Sequence, residues 1–265
     1  MLKEAAYRSL EWINAVPILG RKLDQFSIAY HRARENCSYD LRRNGEAWLL
    51  RRLAAVNTLG QVFDVGANRG DWAALVLEAN PAAHLHCFEI CPPTYQRLAA
   101  RFAGNPRVTA HPFGLSDTAG EIVINHCLDT DVLTSMFEVV CSKNNQATAA
   151  QVRRGADFLG ERGITRIDLL KIDVEGAEHL VLRGFEGCIS PTRVPVVQFE
   201  YGTVNILTRY LLKDFYAYFE ERGYRVGKLF PRRVRFRPYR LEDEDFLGPN
   251  YVAVAPELVA RLEGS

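Results

Sequence analysis

The stretch VFDVGANRGDW, residues 62–72, decides the fold. Apolar residues surround Asp64 and a helical pattern opens at its end, so it reads as a buried strand, a tight turn and a helix start. Gly66 permits a positive φ in the turn, and Gly70 lets the helix pack close to the strand. The order Asp64, Gly66, Gly70 differs from the G-x-G-x-x-G of dinucleotide sites. A pyrophosphate beside Asp64 would meet like charge, costing on the order of 4 kcal/mol at about 4 Å and an effective dielectric near 20. A ligand with a cationic head suits the turn better, its own carboxylate resting on the amides at the helix start near Asn68.

Outward from the turn, β-rich runs (QVFDV, HLHCFEI, RVTAHPFG, RIDLLKIDV, VPVVQFEY) alternate with helical stretches such as DWAALVLEAN, PTYQRLAARFAGN and GAEHLVLRGF. NILTRYLLKDFYAYFEERG reads as one helix stopping at Gly223. Such alternation predicts a mostly parallel sheet with helices on both faces, a Rossmann-like α/β fold. Ligands of such sheets sit beyond the carboxyl ends of the strands, at the switch point. The second strand ends at Glu89, where an acid accepts two ribose hydroxyls, and Ile90 lines an adenine pocket. The third ends in PFGLSD, whose Gly114, Leu115, Ser116 and Asp117 offer contacts to an adenine edge. Contacts for an aminoacyl cation, a ribose and a base from three consecutive strand ends describe a site for S-adenosylmethionine.

The next two strand ends supply acids. DLLKIDVEG brings Lys171, Asp173 and Glu175 to one edge, and alternation sets Lys171 and Asp173 on the same side. Asp173 is the candidate general base or acceptor-orienting group, with Lys171 fixing its charge; the alternative is a buried pair that only shapes the strand end. Asp173 also borders the cofactor. Glu175 is expected to cap the helix that follows. VVQFEYG brings Glu200 and Tyr201 toward the same cleft, Glu200 as a catalytic candidate and Tyr201 as an acceptor contact. Asp173 and Glu200 would suffice for Mg²⁺ with water, but no dedicated metal cluster is evident and no metal is assigned. His111, His126 and His179 read as ordinary strand, loop and helix-surface residues.

Two segments break the alternation. Residues 121–155 include TDVLTSMFEV, where Ser135 is the hydroxyl offered to a polar acceptor, and such insertions commonly form lids or substrate walls. RRVRFRPYR, residues 232–240, reads as a half-exposed strand with arginines on one face, Arg235 being the candidate for an acidic or phosphorylated acceptor. Residues 1–58 read as helices packed beside the main fold.

Composition limits the partners. Among 265 residues, 33 Lys and Arg face 32 Asp and Glu, so no global field recruits nucleic acid, and a glycan or small-molecule acceptor is expected. Six cysteines without a CxxC pair read as reduced thiols of a cytoplasmic protein. No apolar run is long enough to span a membrane, which leaves room only for peripheral contact, and the oligomeric state is not legible.

VFDVGANRGDW, CFEICPPTYQRL, GLSDTAGE, LLKIDVEGAEHLVLRGFE and FLGPNYVAVAP together resemble the FkbM-type family of class I S-adenosylmethionine-dependent O-methyltransferases, across about residues 44–256. The resemblance implies a seven-stranded sheet with the last strand antiparallel, and methylation of hydroxyls on sugars or natural-product scaffolds. It divides the chain into a helical extension over 1–58 and a class I methyltransferase domain over 59–265. Two other classes stay open at this point: a nicotinamide-dependent oxidoreductase or epimerase, which lacks its usual catalytic pair here, and a non-catalytic adenosyl-binding module.

Overall fold

In the computed structural model, residues 2–56, 59–127, 134–135, 145–247 and 250–263 are described. The chain runs α1 (Leu2–Asn14), α2 (Pro17–Arg34), α3 (Glu46–Ala55), β1 (Gln61–Val65), α4 (Asp71–Ala79), β2 (His84–Phe88), α5 (Pro92–Arg101) and β3 (Val108–His111). It continues with β4 (Gly114–Ser116), β5 (Gly120–Cys127), β6 (Thr134–Ser135), β7 (Asn145–Arg154), α6 (Gly155–Arg162), β8 (Leu169–Ile172), α7 (Glu178–Gly184) and β9 (Val196–Glu200). The last elements are α8 (Asn205–Thr208), α9 (Leu212–Glu220), β10 (Arg225–Phe230), β11 (Arg233–Phe236), β12 (Asn250–Val254) and α10 (Val259–Leu262).

The main sheet has the order β11-β10-β12-β9-β8-β1-β2-β3. Strands β1, β2, β3, β8 and β9 are parallel, while β12 runs antiparallel between β9 and β10. Seven of the strands therefore form the expected sheet with its last strand reversed. The sheet has eight, because β11, from the arginine-rich segment, adds an antiparallel edge strand on β10. Strand order reverses between β1 and β8, which puts the switch point beside Asp64 and Lys171.

Both sheet faces are covered, as near-continuous apolar strands require. Phe63, Val65, Leu170 and Ile172 join Phe158, Phe185 and Phe215 in one core. Val62, Leu169 and Val196 join Leu49, Leu50, Leu53 and Trp72 in the other. The helices expected over 1–58 thus divide. Helix α3 belongs to the core, whereas α1 and α2, expected to pack beside the fold, leave Tyr7, Trp12, Ile18, Phe26 and Tyr30 exposed.

The insertion after β3 forms a second sheet, β4-β7-β5-β6, in which β5 and β7 are a long antiparallel pair. The expected single helix over residues 205–223 is two, α8 and α9. Arg209 takes a left-handed φ of 58°, and α9 restarts with Asp214 Oδ2 accepting from the Leu211 amide at 2.8 Å.

Candidate active site

Strand register builds the site. Asp64 on β1 lies beside Lys171 on β8, and Lys171 beside Gln198 on β9, so the three form a polar row on the face that α3 covers. Glu46 of α3 meets the row: Gln198 Nε2 donates to Glu46 Oε1 at 2.6 Å, and Asn44 Nδ2 donates to Glu46 Oε2 at 2.6 Å. Lys171 Nζ sits 3.6 Å from Asp64 Oδ1, 2.8 Å from Asp173 Oδ2 and 5.6 Å from the centre of the Trp72 ring. The Asp64 side chain has no exposed surface, while that of Asp173 is 36% exposed. Lys171 therefore ties a buried acid to an open one.

Burial opposes every charge in this row, and pairing decides which persist. Burial would pull the Lys171 pKa down, but Asp173, Asp64 and Glu46 outweigh it and hold the ammonium far above the lysine range. Burial drives Asp64 up to about 6 despite Lys171. Burial also acts on Asp173, yet Lys171 and a hydrogen bond from Glu200 hold it below the ordinary carboxylate range. Glu200 goes the other way, pushed well above that range by burial and then by the Asp173 charge. Lys171 thus favours the charged form of Asp173, while burial and the Asp173 charge favour the protonated form of Glu200.

Glu175 completes a cluster. One carboxylate oxygen each from Asp173, Glu175 and Glu200 lies within 4.8 Å of the others, a spacing that shared protons or a hard divalent cation would satisfy. Burial, Asp173 and Glu178 raise Glu175 to about 8. Its expected capping role falls to Glu178, whose Oε1 accepts from the Val174 and Gly176 amides at 3.1 Å each. Glu175 instead stands at a left-handed φ of 53° before Gly176 at 101°, so the turn presents its carboxylate to Asp173.

The glycine turn packs against the same edge. Gly66, at φ 84°, lies where an added Cβ would sit 1.8 Å from the Asp173 carbonyl oxygen. Gly70, at φ 79°, makes its close approach to Phe102 and Leu98 of the α5 region, not to the strand. The Asn68 amide donates to Glu89 Oε2 and the Cys91 amide to Glu89 Oε1, each at 2.8 Å, so Glu89 links the turn to β2. Burial raises Glu89 to about 7. Ile90 lies against Gly114, where a Cβ would come within 2.9 Å of Ile90 Cδ1. Leu115 and Ser116 are buried in β4, and Gly114 at its start is less so.

Several expectations change. Asp64 does not face the cleft; the surplus negative charge of the Asp64, Lys171 and Asp173 group is presented one strand over, at Asp173. Tyr201 is fully buried, since it points opposite Glu200; its hydroxyl donates to Glu244 Oε2 at 2.5 Å and its ring stacks on Phe246. Arg235 is not brought to the acids. It lies on edge strand β11 with Nη2 3.2 Å from Glu35 Oε2, lining a charged cavity of about 490 Å³ with His31, Arg237 and Arg240. Ser135 pairs through its backbone with Asn125, and its side chain lies outside the described residues. His111 stacks on His86 with ring nitrogens 3.0 Å apart, a packing role. Glu46 and Gln198 were not legible as site residues, because Gln198 sits in an apolar strand and Glu46 opens a helix far back in the chain that reaches the row only through the folded structure.

Comparison with known proteins gives the same direction. The family model described as the methyltransferase FkbM domain matches residues 64–226. Methyltransferase sdnD of Sordaria araneosa is 30% identical over 155 residues, 47% of this chain and 60% of that protein. 2-O-methyltransferase NoeI of Sinorhizobium fredii is 28% identical over 146 residues, 50% of this chain and 60% of that protein. The chain thus spans about three fifths of the length of these curated relatives. Among solved structures, methyltransferase FkbM of Methylobacillus flagellatus is similar with a TM-score of 0.47 and 16% identity, over 74% of this chain and 44% of that one.

Proposed function

Because the chain belongs to the FkbM methyltransferase family, we propose that it uses S-adenosylmethionine to methylate a hydroxyl of a sugar in a polysaccharide, glycolipid or glycosylated natural product. One observation carries the reading: Lys171 Nζ lies 2.8 Å from Asp173 Oδ2, with the Glu175 and Glu200 carboxylates clustered beside it, at the switch point of the sheet. The relative named as a 2-O-methyltransferase supports oxygen as the acceptor atom.

The residues present fit the cofactor. Ile90 packs directly on Gly114, where any side chain would strike it, so the two offer an apolar wall to a purine, and Glu89, held by the Asn68 and Cys91 amides next to Ile90, is the acid for the ribose. Gly66, Asn68 and Gly70 shape the turn that takes the aminoacyl end, and Asp173 supplies the negative charge that a sulfonium and an ammonium require. Leu115 and Ser116 hold the Gly114 backbone in place from within β4. When bound, S-adenosylmethionine supplies an electrophilic methyl group.

The chain's own residues manage the acceptor. The acceptor hydroxyl donates its hydrogen bond to the Asp173 carboxylate and passes its proton there as the new bond forms. Lys171 fixes that carboxylate from behind, and the Glu200 carboxyl group lies beside it. A carboxylate held below its ordinary range is a weak base, so orientation contributes more to the rate than proton abstraction does. The three carboxylates could instead be drawn together by Mg²⁺, which would ionise Glu175 and Glu200.

Isothermal titration with S-adenosylmethionine and its demethylated product tests the cofactor; heat silence at high micromolar concentration would overturn the reading. Mass spectrometry of sugar acceptors should find the mass of one added methylene. Chelation separates shared protons from a metal: turnover that survives a chelator supports the proton arrangement, and turnover restored only by Mg²⁺ supports the metal.

A further inference from the structure

We propose that α1 and α2 form a docking surface for an anionic lipid bilayer. Soluble helices bury their apolar stripe against a partner. Here Leu19, Leu23, Phe26 and Tyr30 recur at the alternating four and three spacing that sets them on one face of α2. Phe26 is 68% exposed and Tyr30 61%, and among the described residues their rings stack on each other, with centroids 6.4 Å apart. Helix α1, which contacts α2, adds Trp12 at 70% and Tyr7 at 67%. The described ties of this hairpin to the body lie at its far end, where Glu35 meets Lys228 at 3.1 Å and Arg235 at 3.2 Å, and Asn36 Nδ2 donates to the Leu229 carbonyl at 2.9 Å.

Charge selects the occupant. Residues 2–34 carry six Lys and Arg against three Asp and Glu, a net +3 in a chain whose total is only +1. A second copy of the hairpin would bring a like-charged surface to it. An anionic bilayer takes both features together: aromatic side chains settle at the headgroup level, and Lys22 and Arg34, on either flank of the stripe, extend toward lipid phosphates. No described helix is long and apolar enough to cross a membrane, so the hairpin would lie along the surface. This inference is independent of the methyl-transfer reading.

The test is co-sedimentation of the full chain with phosphatidylcholine vesicles, with and without about 30 mol% phosphatidylserine. The expected result is binding to the anionic vesicles that weakens with added salt, and that falls about tenfold in Trp12→Ser/Phe26→Ser and in Lys22→Glu/Arg34→Glu. The substituted side chains are exposed, and unchanged melting confirms the fold of each variant. Wild-type protein left in the supernatant with both vesicles would overturn the proposal, as would variants that sediment like wild type. A dimer seen by light scattering that dissociates on Trp12→Ser/Phe26→Ser would assign the face to a second copy instead.

Discussion

The carboxyl edge of the main sheet and the α1–α2 hairpin invert each other. At the edge, Asp64, Lys171, Glu46, Glu89 and Glu178 are buried, although charged side chains rarely are. On the hairpin, aromatic and aliphatic side chains stand in solvent while the charges beside them are hydrated. Each region departs from the rule that burial follows polarity, in opposite senses, and each departure leaves a need that something outside the chain meets. At the edge the need is for positive charge and for an acceptor that shares the Asp173 hydrogen bond. On the hairpin it is for an apolar phase with negative headgroups.

The contrast can be broken from the edge first. Asp173→Asn should lower turnover on the order of 10²- to 10⁴-fold and also weaken cofactor binding by calorimetry, since it removes the charge that faces the cationic end. Lys171→Met removes the only ammonium between two acids and should cost about 3–5 kcal/mol of stability in denaturant titration, since it leaves Asp64 buried without a counter-charge. Adding Asp64→Asn to that variant should restore part of the loss. Gly66→Ala, with a positive φ and a Cβ driven onto the Asp173 carbonyl, should cost at least about 3 kcal/mol and lower activity as well, because the backbone it displaces carries Asp173.

Proton linkage gives a smaller effect with a definite sign. Glu175 is raised to about 8, and Glu89 and Glu178 to about 7, mainly by burial, so the folded chain holds these protons more tightly than the unfolded one. Their contribution to stability is complete below the ordinary carboxylate range and is lost as pH rises through about 8. Melting temperature should therefore decline between about pH 5 and about pH 8, and Glu175→Gln should flatten part of that decline. The smallest effect belongs to the hairpin: Trp12→Ser/Phe26→Ser should change stability by less than about 0.5 kcal/mol, because neither ring is packed against the body.

How much of this was legible in the sequence follows from the range of the forces. The parallel strands and their order of use along the edge could be read, because a buried strand shows its apolar run locally. Lys171 and Asp173 could be paired because two residues on one strand face the same side. Asp64 was assigned to the ligand because no local signal says that β8, more than a hundred residues on, delivers Lys171 beside it. Tyr201 was misplaced for a simpler reason: it is adjacent to Glu200, and neighbours on a strand point apart. The α8–α9 break had no glycine or proline to announce it, since Arg209 itself takes the left-handed turn. The role of Glu175 was hidden in a Glu-Gly pair that two successive positive φ values turn toward the acids.

The Glu35–Lys228 pair has a practical bearing on where this polypeptide can be shortened. Glu35 neutralises Lys228, Gly45 fits where any side chain would strike the Phe230 carbonyl, and Leu49, Leu50 and Leu53 are sealed inside. Deleting everything ahead of the first strand would uncover that interior and take from Lys228 the nearer of its two carboxylate partners. A trimmed version that begins at about residue 35 would discard the sticky aromatic arm, keep the seal, and offer the better starting point for crystallisation.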